Sequence, residues 1–335
     1  MRTLRQQPIE RPRLKILLVK LSSLGDVVHT MPVVQDIRQA LPQAQIDWVV
    51  ERNFAPLVQR CVGVRRVIAC DERRWRKAPF SALTRLEWRN FRAALHSESY
   101  DAVIDLQGLT KSALVAWLAR LTAQGKRFAL ANRTEGSAYE VPTRWVADMA
   151  IRIDVHVHAV QRGRELCAKA LGYPISAIED YGLMGHPLVK AQARPCVALV
   201  HGTSRSDKLW PVDHWIELAR RLHEAGCELA LPHGSPLEES RSHELADAMP
   251  NATVWPRLDL GELTDALAGC VGVIGVDSGL SHIAVALNLP HVQIYNFDTA
   301  WRTGPQGHDY QRSVYANPSP SVDQVWQAWQ SVSRS

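Results

Sequence analysis

The first strand-to-helix turn of the chain carries an acidic residue beside a glycine. An apolar run at residues 16–19 predicts a buried parallel strand, and after Gly25 and Asp26 the apolar residues recur at helical spacing. The turn lacks both the glycines of a dinucleotide-binding loop and the Gly-Lys-Ser/Thr ending of a P-loop, so it does not predict a phosphate cradle. Asp26 is either a helix N-cap or a general base that takes a proton from an attacking hydroxyl; His29 is a weaker candidate for that base.

A second polar turn, VDSGLSH, follows an apolar run at residues 272–276. Gly279 would let the backbone approach a ligand, and the N–H groups that open the next helix would receive phosphate oxygens. Asp277 would orient the loop or bind a sugar hydroxyl. The alternative is a well-capped turn, but the presence of Ser278 and His282 in the same run favours a ligand site.

Two more loops follow strands of the same predicted sheet. The loop HGTSRSDKLWP offers the hydroxyls of Thr203 and Ser204 and the point charge of Lys208, and the loop PHGSPLEES offers Glu238 for a ribose diol. Because the carboxyl ends of parallel strands meet at one sheet edge, we expect these loops and the VDSGLSH turn to converge. Together they predict a site for a nucleotide diphosphate.

A dense basic run, DERRWRK, lies between these regions and contains Arg73, Arg74, Arg76 and Lys77. Such a run is either a solvated face or a patch for a phosphorylated or carboxylated acceptor at an anionic membrane surface. Nucleic acid is not predicted as a partner, because no recognisable nucleic-acid module accompanies the run.

A metal site is not predicted. The chain has no Asp-x-Asp motif that would hold a metal against a diphosphate, and its one close histidine pair, His156 and His158, has no evident further ligands.

Length and composition indicate a two-domain globular protein. With 335 residues, 46% hydrophobic and 22% charged, the chain is long for one core, and its net charge of +5 is too mild for a general attraction to anions. Six scattered cysteines without a Cys-x-x-Cys pair fit a reducing compartment. No apolar stretch is long enough for a signal-peptide core or a membrane span, so we expect a cytoplasmic protein that touches membranes only peripherally.

The apolar patterning alternates between strand and helix twice along the chain. Residues 173–195 hold three prolines and weak periodicity, which makes them the best linker candidate. We therefore expect an α/β protein with two Rossmann-like domains, residues 1–180 and 181–335, whose parallel sheets face each other across a cleft. Periodicity fades over residues 132–158, and no structure is predicted there.

Taken together, these motifs resemble those of the bacterial lipopolysaccharide heptosyltransferases, and most closely the type I enzymes that add the first heptose of the inner core. The matching runs are KxSSLGDVVHTxP, RRWRK, YDAVIDLQGLxKSA, HAVxRxREL, HGTSRSDKLWP and VDSGLSH, in this order over nearly the whole chain. The resemblance implies the GT-B fold, inversion at the anomeric carbon, and no cofactor or tightly bound metal. It implies ADP-L-glycero-D-manno-heptose as donor and a Kdo residue of Kdo-lipid A as acceptor, reached on the cytoplasmic face of the inner membrane.

The resemblance also implies roles for single residues, with Asp26 as the catalytic base. The donor-binding residues that it implies are Thr203, Ser204, Lys208, Glu238, Asp277, Ser278, Gly279 and His282. The acceptor-binding residues are Ser22, Ser23, Arg73, Arg74, Arg76 and Lys77. Two rival classes stay open: another enzyme on this scaffold, such as a later-acting heptosyltransferase or a nucleotide-sugar epimerase, and a non-catalytic protein that only binds a nucleotide or a membrane.

Overall fold

Strands and helices alternate through both halves of the chain, over the residues 13–187 and 194–333 that the computed structural model describes. The strands of the first half are β1 Lys15–Val19, β2 Gln45–Glu51, β3 Val64–Cys70, β4 Tyr100–Asp105, β5 Leu121–Leu130 and β6 Met149–Ile151. Its helices are α1 Leu24–Val28, α2 Met31–Ala40, α3 Ala55–Val58, α4 Glu72–Lys77, α5 Ala82–His96, α6 Thr110–Leu118, α7 Pro142–Val146 and α8 Ala159–Leu171.

The second half repeats this alternation. Its strands are β7 Cys196–Val200, β8 Glu228–Leu231, β9 Ala252–Val254, β10 Gly272–Val276, β11 His291–Tyr295 and β12 Gln311–Tyr315. Its helices are α9 Val212–Glu224, α10 Pro236–Ala248, α11 Leu260–Ala268, α12 Gly279–Ala286, α13 Ala300–Thr303 and α14 Val322–Val332.

Each half forms a six-stranded sheet, ordered β3-β2-β1-β4-β5-β6 in the first and β12-β11-β10-β7-β8-β9 in the second. The strand pairs are parallel in both. In each sheet the strand order reverses at its centre, next to the first strand of that half, and open α/β sheets bind ligands at such a point. The predicted α/β architecture with two Rossmann-like units is confirmed.

The central strands explain why this fold forms. The whole of β7 and of β10 is buried, and β1 is buried after its first residue, as expected for parallel strands covered by helices on both faces. The turns after β1, β7 and β10 are therefore held at the reversal points by well-packed strands. Asp26, in the short helix α1, follows the first of these turns, and the other two carry Lys208 and Asp277.

The two halves touch where α1 meets α12. A side-chain carbon added to Gly279 would lie 2.6 Å from Cγ of Leu24, so a glycine is needed for this approach. Farther along the interface, Nη2 of Arg60 lies 2.6 Å from Oδ2 of Asp265. The described residues of the two halves thus enclose a cleft rather than standing apart.

One predicted helix is in fact two. The sequence pattern predicts a single helix through Leu41, but α1 ends at Val28 and α2 begins at Met31. Pro32 occupies the first turn of α2, and because proline has no N–H to donate to the preceding turn, the helix restarts there. Because of this break, α1 is a separate short helix, and it lies at the cleft.

The elements that the sequence pattern misses lie mostly at the sheet edges. Strands β6 and β12 are edge strands with exposed faces, so they lack the continuous apolar run of a central strand. Helices α7 and α13 have only five and four residues, too few for a periodic signal. Of the predicted linker, residues 188–193 lie outside the described residues, and before them Leu183 forms a bridge with Cys61 of the first half.

Candidate functional site

A cavity of about 530 Å³ lies between the two halves, at the carboxyl ends of the central strands. Eleven of the residues predicted from the sequence line it: Ser23, Asp26, Arg73, Thr203, Ser204, Lys208, Glu238, Asp277, Ser278, Gly279 and His282. Ser22, Arg74, Arg76 and Lys77 do not line it. The structure thus brings the predicted base and the predicted donor residues to one place.

Asp26 lies inside α1, in its first turn, so the interpretation of Asp26 as the N-cap is wrong. The N-cap is Ser23, whose backbone N–H and Oγ both donate to Oδ2 of Asp26, at 3.3 and 2.9 Å. The other oxygen, Oδ1, accepts from Nζ of Lys20 at 3.3 Å and from Nη2 of Arg162 at 3.4 Å. The carboxylate is thereby held in one orientation at the cavity wall.

The charges around Asp26 keep it ionised. Burial raises the pKa of Asp26, but the cations of Lys20 and Arg162 lower it by more, and the net pKa falls well below the usual range of an aspartate. The hydrogen bond from Ser23 acts in the same direction. At neutral pH this side chain is therefore a carboxylate that can accept a proton.

Lys20 and Arg162 are site residues that sequence reasoning did not single out. Lys20 is buried directly after β1, and it also donates to the carbonyl of Leu106 at 3.2 Å. Burial lowers its pKa, while the nearby carboxylate of Asp26 raises it. A charged residue at the end of an apolar strand is an available sequence signal for Lys20, whereas Arg162 comes from α8, more than a hundred residues away, and only the fold shows that it reaches Asp26.

Three buried histidines pack beside the site, on both sides of the interface. The ring of His29 lies 4.2 Å from that of His282 and 6.1 Å from that of His158, centroid to centroid. Burial and the neighbouring histidines lower the pKa of His29 well below its usual value, and burial lowers that of His158 to about 4. The rings of His29 and His158 are therefore neutral at pH 7, and His29 packs at the interface as well as lining the cavity.

The opposite wall presents a lysine held by a buried carboxylate. Nζ of Lys208 lies 2.5 Å from Oδ2 of Asp277, and Nε2 of His282 lies 3.5 Å from Oδ1. Burial raises the pKa of Asp277, but His282 and Lys208 lower it by more, so it is ionised. In this pair the lysine rather than the carboxylate is the more exposed partner.

The N-terminus of α12 completes this wall. Ser278 is its N-cap residue, and its Oγ is buried without a hydrogen-bond partner, which leaves a hydroxyl for a ligand. Thr203 Oγ1 donates to the carbonyl of Asp277 at 3.3 Å and so ties the two donor-side loops together. Gly279 was predicted to let the backbone approach a ligand; in addition, it allows the approach of Leu24 from the other half.

Glu238 also lines the cavity, from the first turn of α10. Its Oε2 accepts from the backbone N–H of Gly234 at 2.7 Å, and the N-cap Ser235 fixes that turn by accepting from the N–H of Glu238 at 3.2 Å. Its other oxygen, Oε1, has no bond of this kind to the described residues and is the one available to a diol.

The basic run forms α4, and only its Arg73 lines the cavity. Arg74 is paired with Asp71 at 2.8 Å and with Glu87, and Arg76 is paired with Glu72 at 2.9 Å. Lys77 is exposed at the end of the helix.

Ser22 is buried beside the cavity, and its Oγ accepts from Nζ of Lys111 at 3.1 Å. Its hydroxyl is therefore turned toward Lys111, whereas the adjacent Ser23 lines the cavity.

Arg302 and Thr303 of α13 also line the cavity and were not predicted. Arg302 lies against Gly136, whose φ of 68° favours glycine at this position. The loop around Gly136 belongs to the stretch in which no structure was predicted, so its contact with the second half is a finding of the structure alone.

Over the described residues, no group of three or more histidine, cysteine, aspartate or glutamate side chains is placed to hold a metal ion. Of the predicted pair, His156 bonds to Glu135 and stacks on Trp301, while His158 bonds to the carbonyl of Gly304. In the same parts of the chain, no helix has the length and apolar character needed to span a membrane.

Comparison with known proteins identifies the family. The model of glycosyltransferase family 9 (heptosyltransferase) matches residues 88–327. Lipopolysaccharide heptosyltransferase 1 of Escherichia coli (strain K12) is 41% identical over 286 residues, which cover 84% of this chain and 88% of that protein. This chain belongs to glycosyltransferase family 9.

Two further comparisons agree with this assignment. The structure of the E. coli heptosyltransferase WaaC with ADP superimposes with a TM-score of 0.84 at 37% identity, covering 94% of this chain and 98% of that one. Lipopolysaccharide heptosyltransferase 2 of E. coli (strain K12) is more distant, at 26% identity over 309 residues, 88% of this chain and 86% of that protein. The predicted glycosyltransferase class and the predicted family are confirmed.

Proposed function

We propose that this enzyme transfers L-glycero-D-manno-heptose from ADP-heptose to a Kdo residue of Kdo-lipid A, with inversion at the anomeric carbon. The observation that carries the proposal is the opposition of two charges across one cavity. An ionised carboxylate, Asp26, stands on one wall, and a lysine, Lys208, stands beside a helix N-terminus on the other. The greater identity to heptosyltransferase 1 than to heptosyltransferase 2, 41% against 26%, supports the choice of acceptor.

The donor would occupy the wall formed by the second half, residues 181–335. Its diphosphate would lie between Nζ of Lys208 and the free N–H groups of α12, since helix N-termini attract phosphate. The unpartnered Oγ of Ser278 and the hydroxyl of Ser204 would donate to phosphate oxygens, while Thr203, whose hydroxyl donates to the carbonyl of Asp277, would hold this side of the donor site in place. Oε1 of Glu238 would accept from the ribose diol.

The acceptor would occupy the wall formed by the first half, residues 1–180. Ser23 and Arg73 line the cavity there, and a guanidinium is well suited to the carboxylate of Kdo. Arg74, Arg76, Lys77 and Ser22 would act from outside the cavity, by attracting the anionic acceptor or by supporting its binding surface. We place the enzyme in the cytoplasm, in peripheral contact with the inner membrane, because its acceptor is a membrane lipid.

In the transfer step a Kdo hydroxyl attacks the anomeric carbon of heptose as Asp26 takes its proton. The new C–O bond forms on the face opposite the diphosphate, and the bond to ADP breaks with its electron pair leaving on the phosphate oxygen. Negative charge grows on that oxygen, so Lys208 and the N–H groups of α12 stabilise the transition state more than the bound donor. Exclusion of bulk water, to which the contact between α1 and α12 would contribute, would protect the donor from hydrolysis.

Mass spectrometry of Kdo-lipid A after incubation with ADP-heptose and the enzyme tests this function. We expect a gain of one heptose together with release of ADP. Conversion of the sugar nucleotide without the lipid acceptor would indicate an epimerase, and transfer only to an acceptor that already carries heptose would indicate a later-acting enzyme. Tight ADP binding without turnover on any acceptor would contradict enzymatic transfer.

A further inference from the structure

A second hollow lies in the first half, outside the catalytic cavity. It has a volume of about 680 Å³ and runs between α4, α5 and α6. Its walls are mainly apolar and aromatic: Trp75, Trp88 and Phe91 lie on one side, and Leu114 and Val115 on the other. We call this hollow the α5–α6 groove. A groove of this size and character fits hydrocarbon rather than a sugar or a nucleotide.

Cations stand at the rim of the α5–α6 groove. Arg76, Arg85 and Lys111 line it, and Glu72, its one acidic lining residue, is paired with Arg76 at 2.9 Å. An apolar interior with a basic rim is complementary to an anionic amphiphile, whose chain enters the groove while its head group meets the cations.

The groove lies next to the catalytic cavity at two points along the chain. Leu21 lines the groove and Ser23, two residues along, lines the cavity. On α4, Arg73 lines the cavity and Arg76 lines the groove, and residues three apart on a helix are neighbours on one face. The two hollows are therefore neighbours, as they must be if one ligand is to occupy both.

The hydrogen bond from Nζ of Lys111 to Oγ of Ser22 crosses the same boundary, because Lys111 lines the groove and Ser22 lies beside the cavity wall.

Large apolar side chains are also exposed around the groove. Phe80 follows Pro79 of its lining, Leu83 and Leu86 flank its lining on α5, and Trp117 is one helical turn from Leu114. This surface suits contact with the bilayer from which an acyl chain would emerge.

We propose that the α5–α6 groove holds an acyl chain of the acceptor lipid while its sugar lies in the catalytic cavity. The inference rests on the proposed function, because it takes the acceptor to be an anionic glycolipid. It assigns to the first half a lipid subsite in addition to its sugar subsite. The groove then makes the enzyme prefer an acceptor that carries its acyl chains over the same sugar without them.

The test compares Leu114→Glu with the wild type on two acceptors, the acylated lipid and its fully deacylated form, both in the same nonionic detergent. Leu114 is 47% exposed, so the substitution places a charge in the groove without entering the core. Val212, also 47% exposed but on α9 of the other half, supplies the matched control Val212→Glu. We expect the ratio of KM for the acylated acceptor to KM for the deacylated one to rise about tenfold in Leu114→Glu and to stay unchanged in the control.

A second variant, Leu114→Trp, fills the groove without adding a charge and is expected to raise the same ratio. An unchanged ratio in both Leu114 variants overturns the proposal. An equal rise in Leu83→Glu, which alters the exposed surface but not the lining, also overturns it, because the micelle or bilayer would then be the binding partner. If the wild type transfers heptose to neither acceptor, the proposed function fails; if it transfers to both with equal KM, only the groove assignment fails.

Discussion

Two aspartates face the cavity from opposite halves, and each has a lysine partner, but the two pairs are arranged in opposite ways. Beside Asp26 the cation is hidden, since the side chain of Lys20 is 4% exposed and that of Asp26 is 35% exposed. Beside Asp277 the carboxylate is hidden, at 6% exposed, while Lys208 is 20% exposed. The first half thus presents an anionic oxygen to the cavity, and the second half presents a cationic nitrogen.

The difference in exposure distinguishes the roles of the two aspartates, which their charges alone do not. Both aspartates have a pKa below the usual range, because both lie beside cations. Of the two, only Asp26 has an appreciably exposed side chain, and a proton acceptor must be within reach of the attacking hydroxyl. Both aspartates bond to protein partners through both oxygens, so exposure is what distinguishes them, and the buried side chain of Asp277 fits a residue that positions Lys208.

The largest expected effect comes from Asp26→Asn. An amide keeps the shape of the side chain but no longer takes a proton, so we expect kcat to fall about a thousandfold, within the range for loss of a general base. ADP binding should change little, since the donor wall is untouched. Steady-state kinetics together with calorimetric titration of ADP measure both quantities.

Asp277→Asn sharpens the contrast between the two aspartates. The substitution removes the negative charge that holds Lys208. We therefore expect the variant to bind ADP more weakly, in addition to having a lower kcat. Identical kinetic profiles for Asp26→Asn and Asp277→Asn, with ADP affinity preserved in both, would refute the division of roles.

A smaller effect is expected from Lys208→Met. Loss of the charge that faces the diphosphate should lower kcat/KM for the donor about a hundredfold, because the interaction strengthens as charge grows on the leaving group. Arg205→Met is the matched control, since Arg205 lies in the same loop, is exposed, pairs with Asp207 and does not line the cavity. Kinetics with varied donor concentration decide, and an equal loss in both variants would argue against a specific phosphate contact.

The residues of the donor wall could be predicted from the sequence more completely than those of the wall around Asp26. The donor wall follows from loops that come directly after strands, because parallel strands bring their carboxyl ends to one edge. Thr203, Lys208 and Asp277 could therefore be placed together from the order of the strands alone. The position of Asp26 followed from the same rule.

The partners of Asp26 could not be predicted in this way. Arg162 reaches it from α8, and only the packing of that helix decides which of its faces meets α1. For the basic run DERRWRK, the sequence shows the charges but does not show which acidic residues will pair with them. Arg74 forms an ion pair with Glu87, and Arg76 forms one with Glu72. Of the four cations of this run, Arg73 alone lines the cavity.

The burial of Lys20 has a consequence for the pH dependence of the enzyme. In the wild type, Lys20 and Arg162 favour the ionised form of Asp26, so the carboxylate stays unprotonated as the pH falls through the usual range of aspartate. Without Lys20 one of these attractions is lost, whereas the effect of burial, which raises the pKa of Asp26, remains. Asp26 would then take up its proton at a higher pH, and activity would be lost earlier on the acid side.

The smallest expected effect at neutral pH therefore belongs to Lys20→Met. We expect kcat to fall about tenfold at pH 7, and the acid limb of the pH profile of kcat/KM to move upward by about one pH unit, as removal of a neighbouring opposite charge does. Lys15→Met is the control, because Lys15 opens β1, the strand that Lys20 directly follows, and it pairs with Glu98 rather than with Asp26. A thermal melt checks that both variants are folded at the assay temperature. If the acid limb of Lys20→Met coincides with that of Lys15→Met, Lys20 has only a structural role. Its buried charge would then have no part in keeping Asp26 ionised.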